Sequence, residues 1–394
     1  RGTGYNLYSD GMWDTEPYER LESQRVGWPS IFYTAEKEFA IAHNGTTGLS
    51  IASRTIGDGS WDEAELPTNS PAGLLWGRAA AGGEDENTIH VICVSTPVAN
   101  NGEEYLGMDG ALMYYRSQDA GETWDTQDFL IPGIDSTLFV GFSGDTYAIH
   151  ARGNTVAFAV FNDFADTFVM ISHDNGDTWE KTLLVDFPVD NYVVDDGLPE
   201  EGEDWNEDGV FAEYFNSDGA GAILVDNDEQ VHVTYGEMYY MDMDLTDEVF
   251  SYFPGVNGLS YWQEGWEPLT RETIAFTYDL DENGQLDLDD IALYFVSIAG
   301  MPSMSVDADN NLYVTYAAAM ENFSNGQNFR HIHAIYSNDG GESWNTETAC
   351  DLTPDFDFDE YESVFGSQVP DVDQDIRLIY QRDFEPGLHV RGDE

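Results

Sequence analysis

Positive charge is scarce in this sequence. There are 14 Lys and Arg against 76 Asp and Glu, a formal net charge of −62. Such a surface repels the phosphates of nucleic acid and of anionic lipid, and no basic patch offsets it. Neither a nucleic-acid partner nor a membrane partner is expected. No apolar run approaches the roughly 18 residues of a spanning helix, so membrane insertion is not expected either. Cysteine is nearly absent. Cys93 and Cys350 lack metal-site spacing, and nothing in the sequence demands that they pair. There is no glycine-rich phosphate loop, no Ser/His/Asp pattern of a nucleophilic hydrolase and no long helical period.

What is present suffices for a packed core: 41% of the 394 residues are hydrophobic and 14% aromatic. The acid surplus attracts divalent cations and keeps a protein in solution at high salt, where screening removes self-repulsion. A secreted or cell-surface protein, from a bacterium of marine or saline habitat, is the expectation. The sequence starts at Arg1 without a signal peptide, which fits a leader removed on export or a trimmed start.

Repetition is the decisive signal. Three segments, Ser117–Trp124, Ser172–Trp179 and Ser337–Trp344, share the pattern S-x-D-x-G-x-[ST]-W. Degenerate relatives end at Trp61 and Trp266. The Asp accepts turn N–H groups, the Gly permits a positive φ, and the Trp supplies a large face to bury. Six short strands recur in step: Glu38–Ala42, Thr88–Ile92, Thr155–Ala159, Gln230–Thr234, Asn311–Thr315 and Asp375–Ile379. A third echo lies upstream of two of them, Gly27–Ser30 and Gly300–Ser303, each with Pro third. His90 and His232 hold equivalent strand positions, which reads as repeated packing.

The octapeptide resembles the Asp-box, or BNR repeat, of the sialidase superfamily. That resemblance implies an all-β, six-bladed β-propeller of four-stranded antiparallel blades, and in the family the box Asp is structural. The blades are expected at about 25–65, 70–130, 140–186, 217–272, 298–350 and 362–392, in a single domain. Residues 1–24 would complete the last blade and close the ring. Residues 187–216 and 273–297 are insertions, and loops of that length on a repeat scaffold tend to carry function.

Two insertions carry calcium-type spacing. Asp279, Asp281, Asn283, Gln285 and Asp290 fall at positions 1, 3, 5, 7 and 12 of an EF-hand-like loop, with Gly284 at the turn and Asp in place of the closing Glu. A short helix is expected over 291–295. Asp204, Asn206 and Asp208 repeat the spacing more weakly, with Glu213 following.

The sialidase resemblance also implies an arginine triad, a Tyr nucleophile activated by Glu and an Asp acid/base. Here Gly27 stands where the first Arg belongs, and Arg25 lies two residues upstream. Arg78, Arg271 and Arg330 are the other clamp candidates, and Tyr235, Glu237 and Tyr239 offer a Tyr/Glu set on one blade. Trp28 and Trp76, beside Arg78, are candidate ligand-binding residues, since exposed indoles stack on sugar rings. The expectation is a non-catalytic, calcium-stabilised binding or display module for a glycan or a cell-surface or secreted protein partner. The alternative is a glycoside hydrolase, or other carbohydrate-active enzyme, with a different site in the central funnel.

Overall fold

The computed structural model describes residues 2–45, 48–57, 59–199, 202–354 and 361–388. The expected blade end at 389–392, and Asp58 of the first degenerate box, lie outside the described residues. Among the described residues there is no α-helix, and none that could span a membrane.

The chain forms two compact units. The first comprises Arg1–Asp145, Ile149–Val156 and Ile171–Glu180; the second comprises Thr146–Ala148, Ala157–Met170 and Lys181–Glu394. In the first, a small hairpin pairs β1 (Tyr8–Ser9) with β2 (Met12–Trp13). Two four-stranded antiparallel sheets follow. One holds β3 (Val26–Tyr33), β4 (Lys37–Asn44), β5 (Gly48–Thr55) and β6 (Asp62–Glu65); the next holds β7 (Leu74–Gly82), β8 (Thr88–Ser95), β9 (Leu112–Ser117) and β10 (Thr126–Phe129). The unit boundary runs through a third such sheet, of β11 (Tyr147–Arg152), β12 (Thr155–Val160), β13 (Thr167–Ser172) and β14 (Glu180–Val185).

The second unit holds a five-stranded sheet of β15 (Tyr214–Val225), β16 (Val231–Met241), β17 (Ser251–Tyr252), β18 (Leu259–Gln263) and β19 (Glu272–Ala275). Next come β20 (Ala299–Asp307), β21 (Leu312–Ser324), β22 (Asn328–Ser337) and β23 (Cys350–Asp351), with β24 (Glu362–Gln368), β25 (Asp371–Val372) and β26 (Leu378–Asp383) after them. β25 adds to β20 in parallel, and β24 pairs with β26 alone.

Central strands explain the apolar runs of the sequence. All eight residues of β8 and all six of β9, β12 and β13 are buried. A strand covered on both faces needs no polar alternation. The edge strand β6, with sequence DEAE, is exposed throughout, and its charge discourages further pairing.

The three full boxes fold alike. In each, the Ser hydroxyl donates to the Asp and accepts the Gly N–H, while the Asp accepts both the N–H and the hydroxyl of the following Thr or Ser. The hydroxyl donations from Thr123, Thr178 and Ser343 to Asp119, Asp174 and Asp339 are all 2.6 Å. Those from Ser343 and Ser337 hold the Asp339 carboxyl below its ordinary range.

Each of two boxes packs on a tyrosine of a neighbouring sheet. Trp179 meets Tyr114 edge-on at 5.0 Å, and Trp344 meets Tyr261 at 5.1 Å. Behind each tyrosine lies a histidine. His90 Nδ1 is 2.7 Å from the Tyr114 hydroxyl, and His232 Nδ1 is 2.7 Å from that of Tyr261. The repeated histidines are thus paired with repeated tyrosines.

Two expectations fail. Residues 291–295 are not helical. Ala292 and Tyr294 are drawn into a buried cluster with Met301, Ile332 and Val364, and Phe295 has φ 68°, outside any right-handed helix. Asp375–Ile379 is not a full strand: pairing starts at Leu378, because Asp373 binds the N–H groups of Gln374 and Asp375 and the Arg377 side chain and holds a turn. Cys93 is buried and Cys350 exposed, and both are free thiols.

The box glycines allow a test. A Cβ on Gly176 would stand 2.1 Å from the Tyr114 hydroxyl, and one on Gly341 would stand 2.0 Å from that of Tyr261. Gly265, in the degenerate box, has a similar φ of 91° with nothing within 4 Å. Gly176→Ala and Gly341→Ala should each lose about 1–3 kcal/mol more stability in urea titration than Gly265→Ala, which carries backbone strain alone.

Candidate functional site

The acidic loop of the second insertion is organised from a residue far away in sequence. Glu321, fully buried on β21, accepts the N–H groups of Leu280 (2.5 Å), Asp281 (3.3 Å) and Asp287 (2.9 Å). Gly284, at φ 90°, donates its N–H to Asp279 at 2.7 Å, and Asn283 donates its own to Asp281 at 3.0 Å. The bond from Gly284 holds the Asp279 carboxyl below its usual range. Carboxylate oxygens of Asp279, Asp281 and Glu321 lie within 4.8 Å of one another. Asp290 is not in that group: its N–H and C=O are both bonded to Asn328. The Asn283 side-chain oxygen accepts the Gln285 N–H at 2.8 Å. Spacing along the chain had no means of finding Glu321, because sheet pairing alone brings it there.

The weaker loop closes on itself. Gly209 donates to Asp204 at 3.1 Å, and the Asn206 amide donates to Asp208 at 3.1 Å. No group of three carboxylates forms there among the described residues. Glu213 turns instead into a β-bridge with Glu203.

The echo Gly27–Ser30 is a β-bulge. Pairing of β3 with β4 slips between Gly27 and Ser30, and Trp28 sits at φ 51°. β7 slips at the equivalent place, with Trp76 at φ 51°, and β20 does so with Met301 at φ 53°. A left-handed backbone on bulky residues is strained, and bulges re-aim side chains. Trp28 is 52% exposed and stacks on the His43 ring at 5.0 Å, while Trp76 meets the same ring in a T-shaped contact at 6.4 Å. Arg78 reaches Asp145 at 2.7 Å beside them. Burial lowers the pKa of His43, against an upward pull from Asp145. A Cβ on Gly27 would lie 3.4 Å from His43 Nε2, in ordinary contact with this ring. His43 and Asp145 escaped the sequence reading, since neither lies in a motif.

The other clamp candidates divide. Arg330 is 1% exposed, donates to the Ser297 carbonyl at 2.8 Å and lies over the Tyr294 ring. Around it stand Glu362, which accepts the Tyr294 hydroxyl at 2.7 Å, and Asp218, which accepts the Ser297 N–H at 3.0 Å. Arg330, Glu362 and Asp218 are all buried. Arg271 is exposed over Phe215. The Tyr/Glu set does not assemble: Glu237 accepts Ser260 and Thr273 hydroxyls, while the Tyr239 hydroxyl goes to Glu203 at 3.0 Å.

The BNR/Asp-box repeat family matches residues 170–181. No curated protein sequence matches the chain. Among solved structures, an α-L-arabinanase from Penicillium chrysogenum complexed with arabinobiose is 11% identical, with 81% of this chain and 80% of that one covered and a TM-score of 0.42. The α-L-arabinofuranosidase Arb93A from Fusarium graminearum is 10% identical, covering 89% and 85%, with a TM-score of 0.44. Trypanosoma rangeli sialidase in complex with sialic acid is 11% identical, covering 97% of this chain and 55% of that one, with a TM-score of 0.46.

Burial raises the pKa of Asp218 to about 6, against hydrogen bonds from Ala220 and Ser297 and the charge of Arg330. That folded value lies above the roughly 3.9 of an unfolded Asp. Its contribution to stability is therefore full below pH ~4 and is lost as pH rises through about 6. Urea midpoints measured from pH 4 to 7 should fall more steeply in the native chain than in Asp218→Asn.

Proposed function

We propose that this chain, a BNR/Asp-box repeat protein, is an exported, non-catalytic binding module that recognises glycan, presented at a cell surface or on a secreted partner. The ligand site is the platform of Trp28, His43 and Trp76 with Arg78 alongside. One observation carries this reading: Trp28 is held half in solvent, its indole stacked on His43, by a bulge strained on the order of 1–3 kcal/mol. An exposed indole offers its face to sugar C–H groups, and the Arg78–Asp145 pair offers donors and acceptors to hydroxyls. Gly27 in place of the first sialidase Arg, and the burial of Arg330, support a non-catalytic role. Five of the recurring strands of the sequence map onto β4, β8, β12, β16 and β21, and six blades closed by residues 1–24 are part of the proposal. The net charge of −62 suits a saline exterior.

Calcium is the second part of the proposal. Asp279, Asp281 and Glu321 group their carboxylate oxygens, and with the Asn283 side chain and the Gln285 carbonyl named by spacing they would make an all-oxygen donor set of the hard kind that calcium prefers. A bound ion would neutralise the clustered charge and tie the insertion to β21. Asp290 and the loop of Asp204, Asn206 and Asp208 are the further oxygen donors named by spacing.

Two outcomes follow. Trp28→Ala should weaken binding on a glycan array about tenfold or more, with the melting temperature unchanged. Hydrolysis or cleavage of the same glycans would instead favour the carbohydrate-active enzyme. Millimolar calcium should raise the melting temperature relative to EDTA, the unfolding free energy increasing by about 2.7 kcal/mol at a hundred times the dissociation constant. Asp281→Asn should remove most of that increment, and equal melting in calcium and EDTA would refute the metal site.

A further inference from the structure

The first insertion and the fourth sheet enclose a cleft of about 310 Å³, lined among others by Leu184, Asp186, Glu203, Glu213, Phe215 and Arg271. All of these residues belong to the second unit. Glu213 is fully buried. Its Oε2 accepts the Trp205 N–H at 3.3 Å, but its Oε1 has no partner. A desolvated carboxylate oxygen without a donor is unfavourable, and a ligand hydroxyl would relieve it. Glu203 faces Glu213 across the β-bridge, with N–H to C=O distances of 2.8 and 3.1 Å. Directly paired residues project to the same side, so both carboxylates serve one cleft.

The charges select the ligand. Asp186, Glu203 and Glu213 set three negative charges against the single guanidinium of Arg271, so an anion is disfavoured. Arg271 lies 3.8 Å over the Phe215 ring, which leaves its N–H donors directed outward from an apolar surface. Carboxylate acceptors, a guanidinium donor and the apolar surfaces of Leu184, Phe215 and Leu269 line one cleft and match a ring bearing hydroxyls. The volume lies at the small end of ligand sites, on the scale of one ring rather than a chain.

We propose that this cleft binds one neutral sugar residue, whose hydroxyl donates to the free Oε1 of Glu213 while Arg271 donates to its oxygens. The site is separate from the Trp28 platform and stands or falls without it.

The test uses the full chain carrying Trp28→Ala, so that platform binding does not contribute. Saturation-transfer NMR would follow methyl β-D-galactopyranoside and methyl β-D-xylopyranoside as neutral probes, with methyl β-D-glucuronide as the anionic comparison. At least one neutral probe should bind, and Glu213→Gln should weaken it tenfold or more. Leu269→Trp, at an exposed position on the cleft wall, should do the same by filling the space, which guards against a folding defect at the buried Glu213. No neutral binding up to about 20 mM, unchanged affinity in either folded variant, or tighter binding of the glucuronide would overturn the proposal.

Discussion

The contact on which this architecture turns is a tyrosine gripped from two sides. On one side a histidine of the adjacent strand shares a hydrogen bond with its hydroxyl; on the other, a tryptophan and a glycine of an Asp-box close over it. The arrangement occurs with His90, Tyr114, Gly176 and Trp179 in the first unit, and with His232, Tyr261, Gly341 and Trp344 in the second. A polar hydroxyl this deep in a core needs its partner. The rigid box turn fixes where Gly and Trp arrive, and the glycine's missing side chain is what admits the hydroxyl.

The same sheets carry a second recurring device with a different purpose. Where the boxes make sheets adhere, the bulges in β3, β7 and β20 expend strain to redirect one side chain each. The results differ. Met301 turns into the core at 7% exposure, whereas Trp28 turns outward at 52%. A repeat scaffold can thus vary exposure at a fixed backbone kink without altering the packing around it.

The all-β class and the boxes were legible because both are local: an octapeptide closes on its own hydroxyls, and a doubly covered strand writes itself as an apolar run. Positions 279–285 were legible for the same reason. Glu321, His43 and Asp145 were not, since each reaches its place only through strand pairing or a loop returning across a sheet. The helix expected at 291–295 failed because a short apolar run fits a loop as well as a helix, and the hydroxyl of Tyr294 had a buried carboxylate, Glu362, to reach. Asp375–Ile379 misled because one aspartate side chain outcompeted the ladder for nearby N–H groups.

The histidine grip also has a protonic consequence. Burial, aided by the charge of Arg116, drops the His90 pKa to about 3, while burial lifts that of Tyr114 far above its ordinary value. Across the whole physiological span the phenol therefore keeps its hydrogen and the imidazole stays uncharged. The 2.7 Å bond between the Tyr114 hydroxyl and Nδ1 is therefore one between two neutral groups. Desolvation keeps the His90–Tyr114 join from taking up a proton where most histidine contacts would titrate.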